Sequence, residues 1–242
     1  MVTEPDSEIG AVRDSWIAPP NLQVASQAQR EMAEAAERAD RIDPVGIVAG
    51  VDVSMRWRDT RGPVHAAIAP LRWPERVALS PAMITEIPPI PYVPGYLGFR
   101  EVPALATAWE KLTEKPQLIL VDGHGRAHPR RCGIAVQLGV VLDVPTIGVG
   151  KSILCGKLEG VLGDSIGDRV PLVDRGEQIG VALRTRPRAG PVYISGGHRV
   201  SLETAIKWVL ALSAGRRLPL TTHLAHDAAN AERVRYAEVG GV

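Results

Sequence analysis

Short apolar runs broken by Gly and Pro set the pattern of the first half of the chain. The runs GIVAGVDVS (46–54), PVHAAIAPLRW (63–73) and ERVALSPAMITEI (75–87) have strand length, with Arg-Gly-Pro and Trp-Pro as breaks, and predict three consecutive antiparallel strands. Ahead of them, residues 21–42 are rich in Ala, Glu, Gln and Arg and run up to Pro44, which predicts a surface-packed helix. Residues 1–20 show no apolar period and are expected to form a flexible tail, leaving 21–242 as one domain. Beyond a proline-rich stretch, Val102, Leu105, Ala106, Trp109 and Leu112 recur at helical spacing. The run PQLILVDG (116–123) then reads as a buried strand, 132–142 as a buried helix and DVPTIGVG (143–150) as another strand, a β-α-β passage. EQIGVALRTR and PVYIS are two further strands, and SLETAIKWVLALSAG (201–215) a final helix with Ser201 at its start and Gly215 at its end. Antiparallel strands followed by alternating helices and strands predict an α/β fold, a mixed β-sheet flanked by helices.

Composition narrows the function classes. The chain has 242 residues with 28 basic and 27 acidic groups, a net charge of +1, so a nucleic-acid site has to be a local basic patch. Cys132 and Cys155 are too few for a disulfide framework and have no zinc-site spacing, which fits a reducing cytoplasm. No signal peptide or membrane span is expected, and a single chain is the expected unit.

Candidate chemistry rests on three acidic residues in separate segments. Asp52 sits in the apolar run IVAGVDVS, where a lone carboxylate costs several kcal/mol to bury and needs a partner or a metal. Asp122 leaves the strand QLILV ahead of Gly-His-Gly, at the strand end where open α/β sheets place ligands. Glu101 opens a helix. Taken singly, these residues also suit a cap, an Asp-Gly turn and a favourable helix-dipole contact. Together they could converge on one or two divalent cations, the recurrent device for in-line phosphodiester hydrolysis. His124, His128, Arg130, Arg131 and Lys151 supply cations near the same sheet end, and Arg184, Arg186, Arg188, His198 and Arg199 form a later basic cluster suited to a phosphate backbone or to plain solvent exposure. The segment PPIPYVPGYLGF (88–99) holds four prolines around Tyr92, Tyr96 and Phe99, a stiff loop that presents rings for base stacking.

Blocks in order along the chain then resemble the endonuclease V family over about Val45 to His226: GVDVS, PYVPGYLGFREVPAL, VDGHGRAHPRRCGIA, VPTIGVGKSIL and GGHRVSLETA. The resemblance implies a ribonuclease H-like fold and magnesium-dependent hydrolysis, with Mn²⁺ able to substitute for Mg²⁺. It implies cleavage of the second phosphodiester bond 3′ to a deaminated purine, leaving 3′-hydroxyl and 5′-phosphate ends. By the same resemblance Asp52, Glu101, Asp122 and His226 are metal ligands, with His223 and Asp227 as neighbours of the last. His128 and Lys151 act near the scissile phosphate. Tyr92 is the wedge beside the extruded base, and Gly95, Leu97 and Gly123 line its pocket. The chain departs from the family pattern at Gln137, Gly150 and Gly196, which leaves the three carboxylates untouched.

The expected partner is deaminated DNA, with inosine-containing RNA open. Two alternatives stand beside it: a ribonuclease H-like nuclease that recognises nucleic-acid structure, and a non-catalytic nucleic-acid-binding module.

Overall fold

Asn21 caps the first long helix, its side chain accepting from the Val24 amide at 2.9 Å and so satisfying one of the unpaired donors of the first turn. The computed structural model describes residues 13–240. Of the expected tail, residues 1–12 lie outside the described residues. From Arg13 onward the chain is ordered: α1 (Asp14–Ile17) is one helical turn, and Trp16 and Ile17 pack against the core. Helix α2 (Leu22–Ala35) ends well before Pro44, because Ala36 turns to an extended conformation and the Glu37 amide donates to His198 Nδ1 at 3.2 Å.

The next elements are β1 (Ile47–Ser54), β2 (Val64–Arg72), β3 (Val77–Ala78) and β4 (Ala82–Glu86). The third expected strand is thus two pieces, split around Ser80-Pro81, and both pair antiparallel with β2. Helix α3 (Gly98–Glu110) leads to β5 (Leu118–Val121), α4 (Ile134–Leu142) and β6 (Thr146–Gly150), the β-α-β unit expected from the run of apolar residues. Then follow β7 (Lys157–Leu158), β8 (Arg169–Asp174), β9 (Glu177–Leu183), β10 (Val192–Gly196), α5 (Leu202–Ser213) and α6 (Leu220–Glu238). The strands form one mixed sheet in the order β3-β2-β1-β5-β6-β10-β9-β8-β7, with β4 also on β2. At its centre β1, β5 and β6 run parallel. One core lies between this sheet and α2, α3 and α4, the other on the opposite face beneath α5. Among the described residues no helix is long and apolar enough to cross a membrane.

The expected final helix, α5, is followed by a longer one. Helix α6 lacks an apolar stripe because the face it buries is Thr221, Thr222, Ala225, Ala229 and Glu232, small or polar groups that periodicity does not register. Small residues allow close approach. At Gly50 in β1 a Cβ would lie 2.0 Å from the Thr221 carbonyl oxygen, so the helix rests on bare backbone there. Gly50→Ala is therefore expected to destabilise the protein by about 3 kcal/mol through overpacking, read as a shift in the urea midpoint; wild-type stability in this variant would refute the contact.

Candidate active site

Topology brings two of the carboxylates together. Asp52 lies near the carboxyl end of β1 and Asp122 follows β5, its parallel neighbour, with the Asp122 amide donating to the Val51 carbonyl at 3.2 Å. Glu101 comes from the first turn of α3. At Gly98 that helix faces α4, where a Cβ would lie 2.1 Å from Gln137 Oε1 and 3.7 Å from the Ile134 Cα. Glu101 is 7% exposed, and its pKa stands well above the usual carboxylate range, first through burial and then through the charges of Asp52 and Asp122. Asp52 is raised too, by burial and then by Asp122. The three groups thus repel one another within a poorly solvated space.

Each aspartate is turned to a neighbour. Lys151 Nζ lies 2.5 Å from Asp122 Oδ2, and His226 Nδ1 lies 2.7 Å from Asp52 Oδ2. A chain of bonds behind His226 fixes its tautomer. Arg233 Nε, which can only donate, reaches Ser54 Oγ at 3.0 Å. Ser54 donates to Asn230 Oδ1 at 2.8 Å, so the Asn230 amide nitrogen donates to His226 Nε2 at 3.0 Å, and the imidazole proton sits on Nδ1, facing Asp52. Both ring nitrogens are thereby engaged. His226 thus stands directly on Asp52, the carboxylate with which it is expected to share the metal. Among the described residues no group of three His, Cys, Asp or Glu side chains already stands in metal-binding geometry. The donor chemistry nevertheless suits a hard divalent cation: three carboxylates, oxygen donors throughout, with mutual repulsion that a cation relieves.

A cavity of about 220 Å³ is lined by Tyr92, Gly95, Leu97, Gly123, His128 and Ile134 among others, so its wall includes the residue that follows Asp122 and the residue that precedes α3. The four residues expected around an extruded base therefore share one cavity. It is smaller than the roughly 300–1,000 Å³ of drug-sized sites, a scale that suits a single heterocycle. Gly95 has φ +79°, a left-handed conformation that glycine adopts without strain, and Gly123 is required because a Cβ would lie 2.6 Å from Ile134 Cγ2. Tyr92 is 46% exposed where it lines the cavity, so its ring is not part of the core. Tyr96 is held instead, its hydroxyl 2.6 Å from Ser26 Oγ and its ring under Arg130.

His128 differs from expectation. Its Nδ1 accepts from the Arg130 amide and its Nε2 donates to the Gly95 carbonyl at 3.1 Å. It is buried, with its pKa lowered to about 4 by burial first and by Arg130 next. A neutral ring with both nitrogens on backbone shapes the cavity wall and has no donor left for a phosphate. Nor do the loop arginines form an open cationic layer. Arg130 donates to Gly95 O and Gln29 Oε1, and Arg131 to Glu177 and the His128 carbonyl. His124 bonds the Ser152 carbonyl. The later basic cluster is likewise divided: Arg199 pairs with Glu37 and Asp143, Arg184 pairs with Asp164, and His198 is buried.

A mixed sheet with three carboxylates at the ends of its central elements, beside a base-sized cavity, defines the class of ribonuclease H-like, metal-dependent nucleases. Within that class the chain belongs to the Endonuclease V family, whose profile matches residues 29–227. It is 48% identical over 226 residues to Endonuclease V of Rhodospirillum centenum, covering 93% of this chain and 94% of that one. The crystal structure of Endonuclease V from Streptomyces avermitilis superposes with a TM-score of 0.84 at 35% identity, over 94% of this chain and 98% of that chain. The Ciona intestinalis Endonuclease V, solved with a 24mer DNA containing an inosine followed by a ribo-adenosine, superposes at 0.74 with 26% identity, over 89% and 99% of the two chains. The chain is therefore an enzyme, an endonuclease.

Two outcomes follow from the electrostatics. Glu101→Gln removes a repelled buried charge, so at pH 8 in chelator the variant is expected to melt above wild type by about 2–4 °C per kcal/mol relieved and to gain less on adding Mg²⁺; equal melting and equal gain would contradict the trio. His128 takes a proton less readily when folded, so its contribution is complete above the unfolded value of 6.5 and is lost as pH falls from 6.5 toward about 4. That loss is on the order of 3 kcal/mol. Urea midpoints at pH 7.5 and 5 should fall less in His128→Gln than in wild type, and parallel losses would exclude a neutral buried ring.

Proposed function

We propose that the protein nicks DNA at the second phosphodiester bond on the 3′ side of deoxyinosine, leaving 3′-hydroxyl and 5′-phosphate ends, with Mg²⁺ as the cofactor and Mn²⁺ as an acceptable substitute. The observation that carries this reading is that the wall of the base-sized cavity includes Gly123, directly after Asp122, and Leu97 and Gly98 at the start of the helix that bears Glu101. A heterocycle in that cavity leaves its strand running past Gly123 toward Asp122. The Ciona relative, solved with inosine-containing DNA, supports the same substrate.

In this mechanism Asp52, Glu101 and Asp122, with His226 beside Asp52, would hold the divalent cation, which when bound would supply Lewis acidity toward a phosphoryl oxygen and lower the pKa of a water. The protein's own groups do the rest. Asn230 and His226 hold Asp52 in one orientation through the bond chain from Arg233. Lys151, 45% exposed on Asp122, lies where a phosphate crossing that carboxylate meets an ammonium and neutralises developing charge. Gly95, Leu97 and Gly123 shape the slot for the base, His128 fixes the Gly95 carbonyl, and Tyr92 at the rim covers the stack opened by extrusion.

The test is a duplex carrying one inosine, in DNA and in RNA form, incubated with and without Mg²⁺ and mapped for its cut. Wild type is expected to cut at one bond offset from the lesion only when the cation is present, and Asp122→Ala to lose cutting by at least about a thousandfold while retaining most of its binding. Undiminished cutting in excess chelator, or cuts that ignore the lesion, would overturn the proposal.

A further inference from the structure

The turn between β1 and β2 carries a tryptophan that the site described above does not use. Trp57 is 88% exposed, an unusual placement for a residue whose ring buries large area when it can. The turn that displays it is well defined. The Asp59 amide donates to the Arg56 carbonyl at 3.1 Å, which puts Trp57 and Arg58 at the two central positions, and Arg58 adopts φ +64°, a conformation with a steric cost for a side chain of this size. A second turn follows, with Asp59 Oδ1 accepting from the Arg61 and Gly62 amides. Its carboxylate is therefore occupied by its own backbone.

Three arginines flank it in the turn. Arg56, Arg58 and Arg61 are all exposed, and none forms an ion pair among the described residues, whereas Arg126, Arg131 and Arg199 are all paired with carboxylates. In a chain of net charge +1 this turn is a concentrated patch of free positive charge. It is also tied to the site. The Thr60 carbonyl accepts both the Tyr92 amide at 2.9 Å and Arg100 Nη1 at 2.8 Å, and the Gly62 carbonyl accepts Arg100 Nη2 at 2.9 Å. The turn and the Tyr92 loop are thus tied to each other and to a buried guanidinium next in sequence to Glu101. Both emerge at the sheet end near which Asp52 lies on β1, because Val64 opens β2 opposite Glu86 at the end of β4.

We propose that Trp57, with Arg56, Arg58 and Arg61, is a second nucleic-acid contact: the indole stacks on a base of the substrate strand away from the lesion, and the guanidinium groups hold the phosphates on either side. An exposed aromatic among unpaired cations matches the chemistry of a single-stranded nucleic-acid platform, where stacking is tolerant of sequence. An acidic protein partner is the competing occupant. The proposal rests on the nuclease reading and adds to it a contact that is blind to inosine.

The test compares wild type, Trp57→Ala and Trp57→Phe on one labelled duplex with a single inosine and on the same duplex without it. Trp57→Ala is expected to weaken binding to both by a similar factor, about five- to a hundredfold, with unchanged melting temperature and unchanged single-turnover cutting at saturating protein, while Trp57→Phe recovers most of the affinity. Tryptophan emission should be quenched on adding DNA in wild type and much less in Trp57→Phe. Affinity of Trp57→Ala within twofold of wild type on both duplexes would overturn the proposal and leave the turn to a protein partner. A loss confined to the inosine duplex would overturn it as well, since the contact would then serve the lesion. If wild type itself fails to cut at inosine, the nuclease reading fails, whereas normal wild-type cutting with an unaffected Trp57→Ala fails this inference alone.

Discussion

Arg100 and Glu101 are consecutive, oppositely charged and both buried, and the site depends on how α3 keeps them apart. Neighbouring positions on a helix diverge by about 100°, so the two side chains leave on different faces and cannot pair closely. Arg100 gives its donors to the carbonyls of Thr60, Gly62 and Ile90. That one guanidinium fastens the β1–β2 turn and the proline-rich loop to the helix. Glu101 instead faces Asp52 and Asp122, and each residue of the pair tempers the other's burial: Arg100 draws the Glu101 pKa down while burial drives it up, and Glu101 supports the charge on Arg100. Recognition loops and carboxylates are thereby held in register by one turn of helix.

Much of this was legible in the chain because apolar runs report burial. The strands that became β1, β2, β5, β6, β9 and β10 are predominantly apolar and mostly buried, and Asp52 and Asp122 stood out as charges within or just after such runs, whereas Glu101 opens a helix and stood out less. What stayed hidden obeys other rules. Helix α6 buries Thr and Ala against β1, so its amphipathicity is one of size instead of polarity. Strand β8 contains Pro171 and pairs through a register shift at Leu172/Val173, and β7 is only two residues long. Neither carries a period long enough to read.

The site residues that read less well are those whose role depends on a partner distant in sequence. His226 was expected at the metal site from the family resemblance alone, and its hydrogen-bond partners could not be read from the chain. Its partner Asn230 is a neighbour on the same helix face, but Ser54 is 176 residues away from Asn230, and only the assembled chain reveals that the imidazole lone pair is taken. His128 is similar. Its neighbours in sequence are cationic, which suggests a phosphate contact, whereas its Nε2 proton belongs to the Gly95 carbonyl. In both cases the sequence located the residue and the fold decided which atom was free.

The same distinction explains how a chain with almost no net charge can hold a polyanion. Arginines that fold into the molecule are consumed: Arg131 bridges Glu177 and Asp174, Arg199 bridges Glu37 and Asp143, and Arg100 serves backbone carbonyls. Such groups rigidify loops and contribute little field outside, because each charge is neutralised nearby or sunk in a low-dielectric wall. The acidic residues that do this work are thereby removed from the outer balance together with their partners. What remains to act at a distance are cations without a carboxylate, and the turn holding Arg56, Arg58 and Arg61 concentrates three of them just beyond β1, the strand that carries Asp52. Counterion release depends on those local contacts and not on the total, so a net charge of +1 describes the sum of two populations and hides the one that meets the substrate.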